Sequence, residues 1–142
     1  MNLLLDTCVV LRWLDPGLGN LSAMARNAIE NLDNRVIVSA VSIWEISIKY
    51  PLGKIDFSNN LLPFSENFWP ALDGQNFDNI DITHADARVV SDLPSTLNSQ
   101  HGDPFDRLLV AQAKHRGLTL VTTDKQILNR QQQYNVRLLN AR

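Results

Sequence analysis

Residues 103–124 read DPFDRLLVAQAKHRGLTLVTTD, and this stretch decides the fold. Asp103 stands where a helix N-cap belongs, Pro104 takes the first helical position, and Asp106 falls in the first turn, where the positive end of the helix dipole favours an acid. Phe105, Leu108, Leu109, Ala111 and Gln112 then recur at helical spacing, and Gly117 supplies a C-terminal stop. An apolar, β-prone run over 118–122 follows at once, and Asp124 opens a further short helix over 125–130. A helix that hands over to a buried strand, which hands over to another helix, is the repeating unit of an α/β protein.

Working outward, the N-terminus carries the same signature. Leu3, Leu4 and Leu5 form a short buried strand that ends at Asp6 and runs into a helix over 7–14, stopped by Pro16 and Gly17. Ser22 opens a helix with Ala25, Ala28, Ile29 and Leu32 on its apolar stripe, closed by Asp33 and Asn34. Residues 36–38 read as a second strand. The next helix spans 42–50, with Ser42 and Glu45 at capping-box spacing and Pro51 and Gly53 as its end. A helix over 61–72 is bounded by Pro63 and Pro70, and 77–82 is a third strand. Thr83 and Asp86 start a helix that runs to 93, a polar loop covers 94–102, and 136–139 is the last strand. Strands alternating with helices predict one α/β domain with a central parallel sheet of about five strands and helices on both faces.

At 142 residues, with 44% hydrophobic and 20% charged residues, the chain is neither disordered nor a disulfide scaffold. The lone Cys8, expected to be a buried small hydrophobe, excludes an internal disulfide and a Cys-rich zinc site. Asp6 arrives after only three leucines, which argues against a signal peptide or membrane span, so a soluble cytoplasmic protein is expected. The net charge of −2 conceals an asymmetry: positions 1–106 hold 6 Lys/Arg against 14 Asp/Glu, and positions 107–142 hold 7 against 1. A basic C-terminal quarter beside an acidic remainder suits a site where acids gather next to a surface that attracts a polyanion.

The acids stand at consequential places. Parallel strands put their C-terminal ends on one edge, which is where such folds place ligands. Asp6 ends the first strand, Glu45 lies on the helix after the second, and Asp124 ends the fourth. Asp106 joins them if its helix begins at the same edge. Four carboxylates in one small volume raise one another's pKa, a conflict that a hard dication such as Mg²⁺ or Mn²⁺ relieves. Each acid also has an ordinary explanation as a helix cap or first-turn acid, and the two explanations coexist because a capping carboxylate keeps a second oxygen. Asp103 is assigned to capping first and to the metal second. Thr7, Thr122 and Thr123 flank the acids. His84, His101 and His115 share no ligand spacing, and of these His101 is the one worth testing. Trp13, Trp44 and Trp69 are expected in the core or in a dimer contact.

LLLDT at 3–7, SAVSIWEISIK at 39–49, HGDPFDRLLVAQA at 101–113 and LVTTD at 120–124, in this order and separation, resemble the PIN domain, specifically the VapC-type toxins of bacterial toxin–antitoxin pairs. The resemblance implies a five-stranded parallel sheet, a Mg²⁺- or Mn²⁺-dependent ribonuclease, a homodimer and inhibition by a cognate VapB-like antitoxin. It places the family's acidic residues on Asp6, Glu45, Asp106 and Asp124, with Asp103 accessory. RNA would approach along Arg107, Lys114, Arg116 and Lys125, which neutralise phosphates without reading sequence. Two rivals remain. A haloacid-dehalogenase-like phosphotransferase would want a second Asp where Cys8 stands, and a non-catalytic module would use the acids to dock a basic peptide.

Overall fold

The structure, a computed structural model, describes residues 1–94 and 102–142; most of the expected polar loop, and His101 with it, lies outside the described residues. Five strands, β1 (Asn2–Leu5), β2 (Arg35–Ser39), β3 (Asp78–Ile80), β4 (Thr119–Thr122) and β5 (Arg137–Asn140), form one sheet in the order β3-β2-β1-β4-β5. Every pairing is parallel, as the alternation of elements predicts. Leu4 lies opposite Ile37 on one side and Leu120 on the other, which makes β1 the centre of the sheet.

The period-two alternation of a strand sends neighbouring side chains to opposite faces. Leu3, Leu5, Val36, Val38 and Val121 join one core, while Leu4, Ile37 and Leu120 join a second core on the other side. The first core is closed by α1 (Thr7–Leu14), α2 (Ala23–Glu30) and α4 (Phe64–Asp73) through Val9, Val10, Ala25, Ile29, Phe68 and Leu72. The second is closed by α6 (Pro104–Arg116) through Leu109, Val110 and Ala113, with Ile127 of α7 (Lys125–Leu128) and Tyr134 of α8 (Gln131–Tyr134). Fully burying a Val, Leu, Ile or Phe side chain contributes about 1.5–3 kcal/mol, so both faces are needed to hold so short a chain. α3 (Ala40–Lys49) feeds both cores, Ile46 into the first and Val41 into the second.

Several boundaries differ from the sequence expectation. α3 starts at Ala40 because the Ser39 hydroxyl, at the end of β2, accepts from Val41 N at 3.0 Å. Ser42 and Glu45 therefore lie inside the helix and form no capping box. α2 stops at Glu30, and Leu32, expected on its buried stripe, is 99% exposed in the turn that follows. The expected helix over 125–130 ends at Leu128, and a separate turn, α8, follows because Tyr134 anchors it in the core. The Thr83–Asp86 capping box does form and opens α5 (His84–Val89). Among the described residues no helix is long and apolar enough to cross a membrane.

Candidate active site

The site is built where β1 and β4 end. Asp6 N still donates to Val121 O at 2.9 Å, so the residue sits on the last rung of the central ladder as α1 begins. It occupies the N-cap position of α1, yet its side chain caps nothing. Instead the carboxylate, 2% exposed, accepts a hydrogen bond from Thr122 Oγ1 at 2.6 Å. The same threonine oxygen accepts from Asp124 N at 3.0 Å, which joins the two strand ends through one hydroxyl. Thr7, next in the chain, donates to the buried Ser42 of α3 at 2.9 Å and fixes that helix against α1.

The other acids arrive from three helices. Asp124 caps α7, with Oδ1 accepting from Gln126 N at 2.7 Å and Ile127 N at 3.4 Å. Asp103 caps α6 through Oδ1, accepting from Phe105 N at 2.8 Å and Asp106 N at 3.2 Å, and so sets Asp106 in the first turn. Glu45 projects from the middle of α3 and is buried. Its Oε2 pairs with Lys49 one turn on, and its Oε1 has no hydrogen-bond partner among the described residues.

Electrostatics show that these groups share one neighbourhood. Burial pushes the Asp6 carboxyl up to about 7, and the charges of Asp106, Glu45 and Asp124 push in the same direction against the Thr122 hydrogen bond. Three of the four acids singled out in the sequence thus act on the fourth, the buried carboxylate of Asp6. Among the described residues, however, no three His, Cys, Asp or Glu side chains are arranged to hold a metal ion as they stand. Glu45 leans on Lys49, and one Asp124 oxygen is committed to the amides of α7. The donor set nevertheless fits a hard dication: it is all carboxylate oxygen, and the unpartnered buried Oε1 of Glu45 is a ready ligand.

The expected basic track divides. Lys125 is exposed beside Asp124, and Arg107 stands next to Asp106 with Nη1 donating to Pro94 O at 3.0 Å. Lys114 and Arg116 lie about 12 and 15 Å along α6 from Asp106, toward the opposite edge of the sheet. Lys114 reaches Tyr134 O at 3.3 Å. Arg116 pairs with the buried Asp86 at 2.7 Å and holds that carboxyl well below the usual range despite its burial. Cys8 is exposed, contrary to expectation, because it leads off α1 on the side away from the core. Its surroundings still push the thiol up to about 12, through desolvation and then the Asp6, Glu45 and Asp106 charges. Trp44 is half exposed and packs edge-on against Phe105 at 4.9 Å between ring centroids. His84 and His115 are exposed. Lys49, which ends the SAVSIWEISIK stretch but is given no role there, is the residue that sequence reasoning missed, although its spacing of four from Glu45 is a helical-pair signal.

The family model described as the PIN domain matches residues 3–132. No curated protein matches. Among solved structures, VapBC2 from Rickettsia felis bound to a promoter DNA fragment aligns at TM-score 0.72 and 19% identity over 100% of both chains. VapBC-1 from nontypeable Haemophilus influenzae aligns at 0.67 and 15%, covering 99% of this chain and 98% of its own. VapBC-5 from Mycobacterium tuberculosis aligns at 0.64 and 15%, over 98% of each chain. These likenesses concern the fold alone. Matched to the family pattern over nearly its whole length, the chain belongs to the PIN-domain family.

Proposed function

We propose that this chain is a Mg²⁺- or Mn²⁺-dependent endoribonuclease, the cytoplasmic toxin of a toxin–antitoxin pair, held in check by a VapB-like antitoxin. The single observation that carries the reading is the buried Asp6 carboxylate, which feels three further acids brought from α3, α6 and the end of β4. Family membership supports nuclease chemistry, and several structural neighbours are VapBC proteins, two of which are bound to DNA. Asp6, Glu45, Asp106 and Asp124 would hold the dication, which supplies Lewis-acid activation of water and counter-charge for the phosphate.

The chain's own residues do the rest. Thr122 holds Asp6 in one orientation, and its bond to Asp124 N keeps the two strand ends in register. Asp103 fixes the first turn of α6 and with it Asp106. Arg107 and Lys125 flank the acids and would neutralise phosphates of the RNA, whereas Lys114 and Arg116 belong to the scaffold at the far edge. A homodimer is part of the same proposal.

The test is cleavage of total RNA by the purified chain with Mn²⁺ or with chelator, followed by mapping of the cut ends. Metal-dependent cuts that Asp6→Asn and Asp106→Asn abolish support the reading. Cleavage that survives both substitutions overturns it, and tight binding of a basic peptide with no turnover selects the docking-module alternative.

A further inference from the structure

Lys49 ends α3 one turn after Glu45 and pairs with its Oε2. On an exposed helix such a pair contributes little. Here Glu45 is 5% exposed, so its charge has been taken out of water and depends on a counter-charge. Its other oxygen is buried with no partner among the described residues, which leaves the ammonium as the group that compensates this carboxylate. The ammonium also faces the remaining acids: Asp103 and Asp106 both attract it, and it lies 5.8 Å from the centroid of the Phe105 ring in the first turn of α6. Lys49 therefore bridges α3 to the acid-bearing end of α6, and a cation already stands against the carboxylate cluster.

We propose that Lys49 is the resident counter-cation of the acid cluster, and that a dication binds only by displacing its ammonium from Glu45, so that Lys49 sets the dication concentration at which the site fills. This rests on the metal-dependent reading above. The physical ground is competition. Glu45 Oε1 is open to a dication while Oε2 holds the ammonium, but an unmoved ammonium would repel the incoming ion across a few Å of poorly hydrated space. The flexible four-carbon stem, one-third exposed, lets the head group swing out to solvent. Lys49 is on this account a positioning and gating residue, not a ligand.

Isothermal titration of Mn²⁺ into the full chain at pH 8 without RNA tests it, in wild type, Lys49→Met and Lys49→Arg. Loss of the competing charge should tighten Mn²⁺ binding about tenfold or more in Lys49→Met, and Lys49→Arg, which keeps the charge, should stay close to wild type. Binding in Lys49→Met that is unchanged or weaker, while wild type binds, overturns the counter-cation role and leaves the metal reading intact. Failure of wild type to bind Mn²⁺ instead overturns the metal reading and this inference with it. Should Lys49→Met not fold, the wild-type chain labelled with ¹³C-lysine answers the same question: the Lys49 Cε resonance must move with added Mg²⁺ and saturate as the site fills. A resonance that stays fixed while Mg²⁺ binds contradicts displacement.

Discussion

Thr122 Oγ1 donates to Asp6 Oδ2 at 2.6 Å across 116 residues of sequence, inside a buried environment where both groups have few other choices. The bond lowers the proton affinity of a carboxylate that burial and three neighbouring charges raise. Thr122→Val removes the donor while keeping the shape. Asp6 should then titrate above its present value of about 7, and the fold should lose about 1–3 kcal/mol at pH 8, the usual cost of an unsatisfied buried polar group. A ¹³C NMR titration of the Asp6 carboxyl together with urea denaturation checks both.

The raised Asp6 pKa also fixes the sign of a pH effect on the metal-free protein. The folded state takes up a proton near pH 7 and the unfolded chain only near 3.8, so this residue's contribution favours folding below about 4 and is lost as pH rises through 7. Asp6→Asn cannot titrate. In chelator it should be more stable than wild type by roughly 1–3 kcal/mol at pH 8 and show little of that gain at pH 4. Chemical denaturation of the two proteins across this range measures it, and a constant difference at every pH would contradict the assigned titration.

Asp86 presents the opposite case. Its side chain is fully buried, accepts from Arg116, Gln112 and Thr83 N, and is held well below the ordinary carboxylate range. Its contribution is present above about pH 4 and disappears as pH falls toward the depressed folded value. Arg116→Gln should therefore cost about 2–4 kcal/mol at neutral pH, since it strands a buried charge, while leaving Mn²⁺ affinity unchanged. Thermal melts and metal titration on one preparation separate a scaffold role from a role at the acid site.

Asp103 separates capping from ligation. Asp103→Ala should cost about 1 kcal/mol through the lost α6 cap and should slow cleavage by loosening Asp106. Asp103→Asn keeps an oxygen for the Phe105 and Asp106 amides and should recover both stability and cleavage rate. Failure of the asparagine variant to cleave while its stability is normal would make Asp103 a direct participant.

The fold was legible because short range decides it. Every element of the 103–124 unit, from the Asp103 cap through Gly117 to β4, occurs where capping chemistry and periodicity put it. Three leucines in a row at 3–5 cannot reveal which face each one serves, and the structure shows that both faces are buried. The misplaced start of α3 has a similar cause: Ser39 and Ser42 are equally good caps in isolation, and only the end of β2 selects the first. Of the acids, Asp6 and Asp124 were readable as strand-end residues, whereas the convergence of Glu45 and Asp106 on them depends on how α3 and α6 cross the sheet. What the sequence concealed is long-range pairing. Arg116 was expected at a phosphate, whereas it pairs with the buried Asp86, and nothing local to Lys49 shows that its partner Glu45 is buried.

The most direct measurement of the central claim is anomalous diffraction from crystals of the chain soaked in Mn²⁺. A single cluster of density within ligand distance of Asp6, Asp106 and Asp124, with the Lys49 ammonium released from Glu45, is the expected result. Manganese bound elsewhere in a protein that still cleaves RNA, with these carboxylates unmoved, would contradict it.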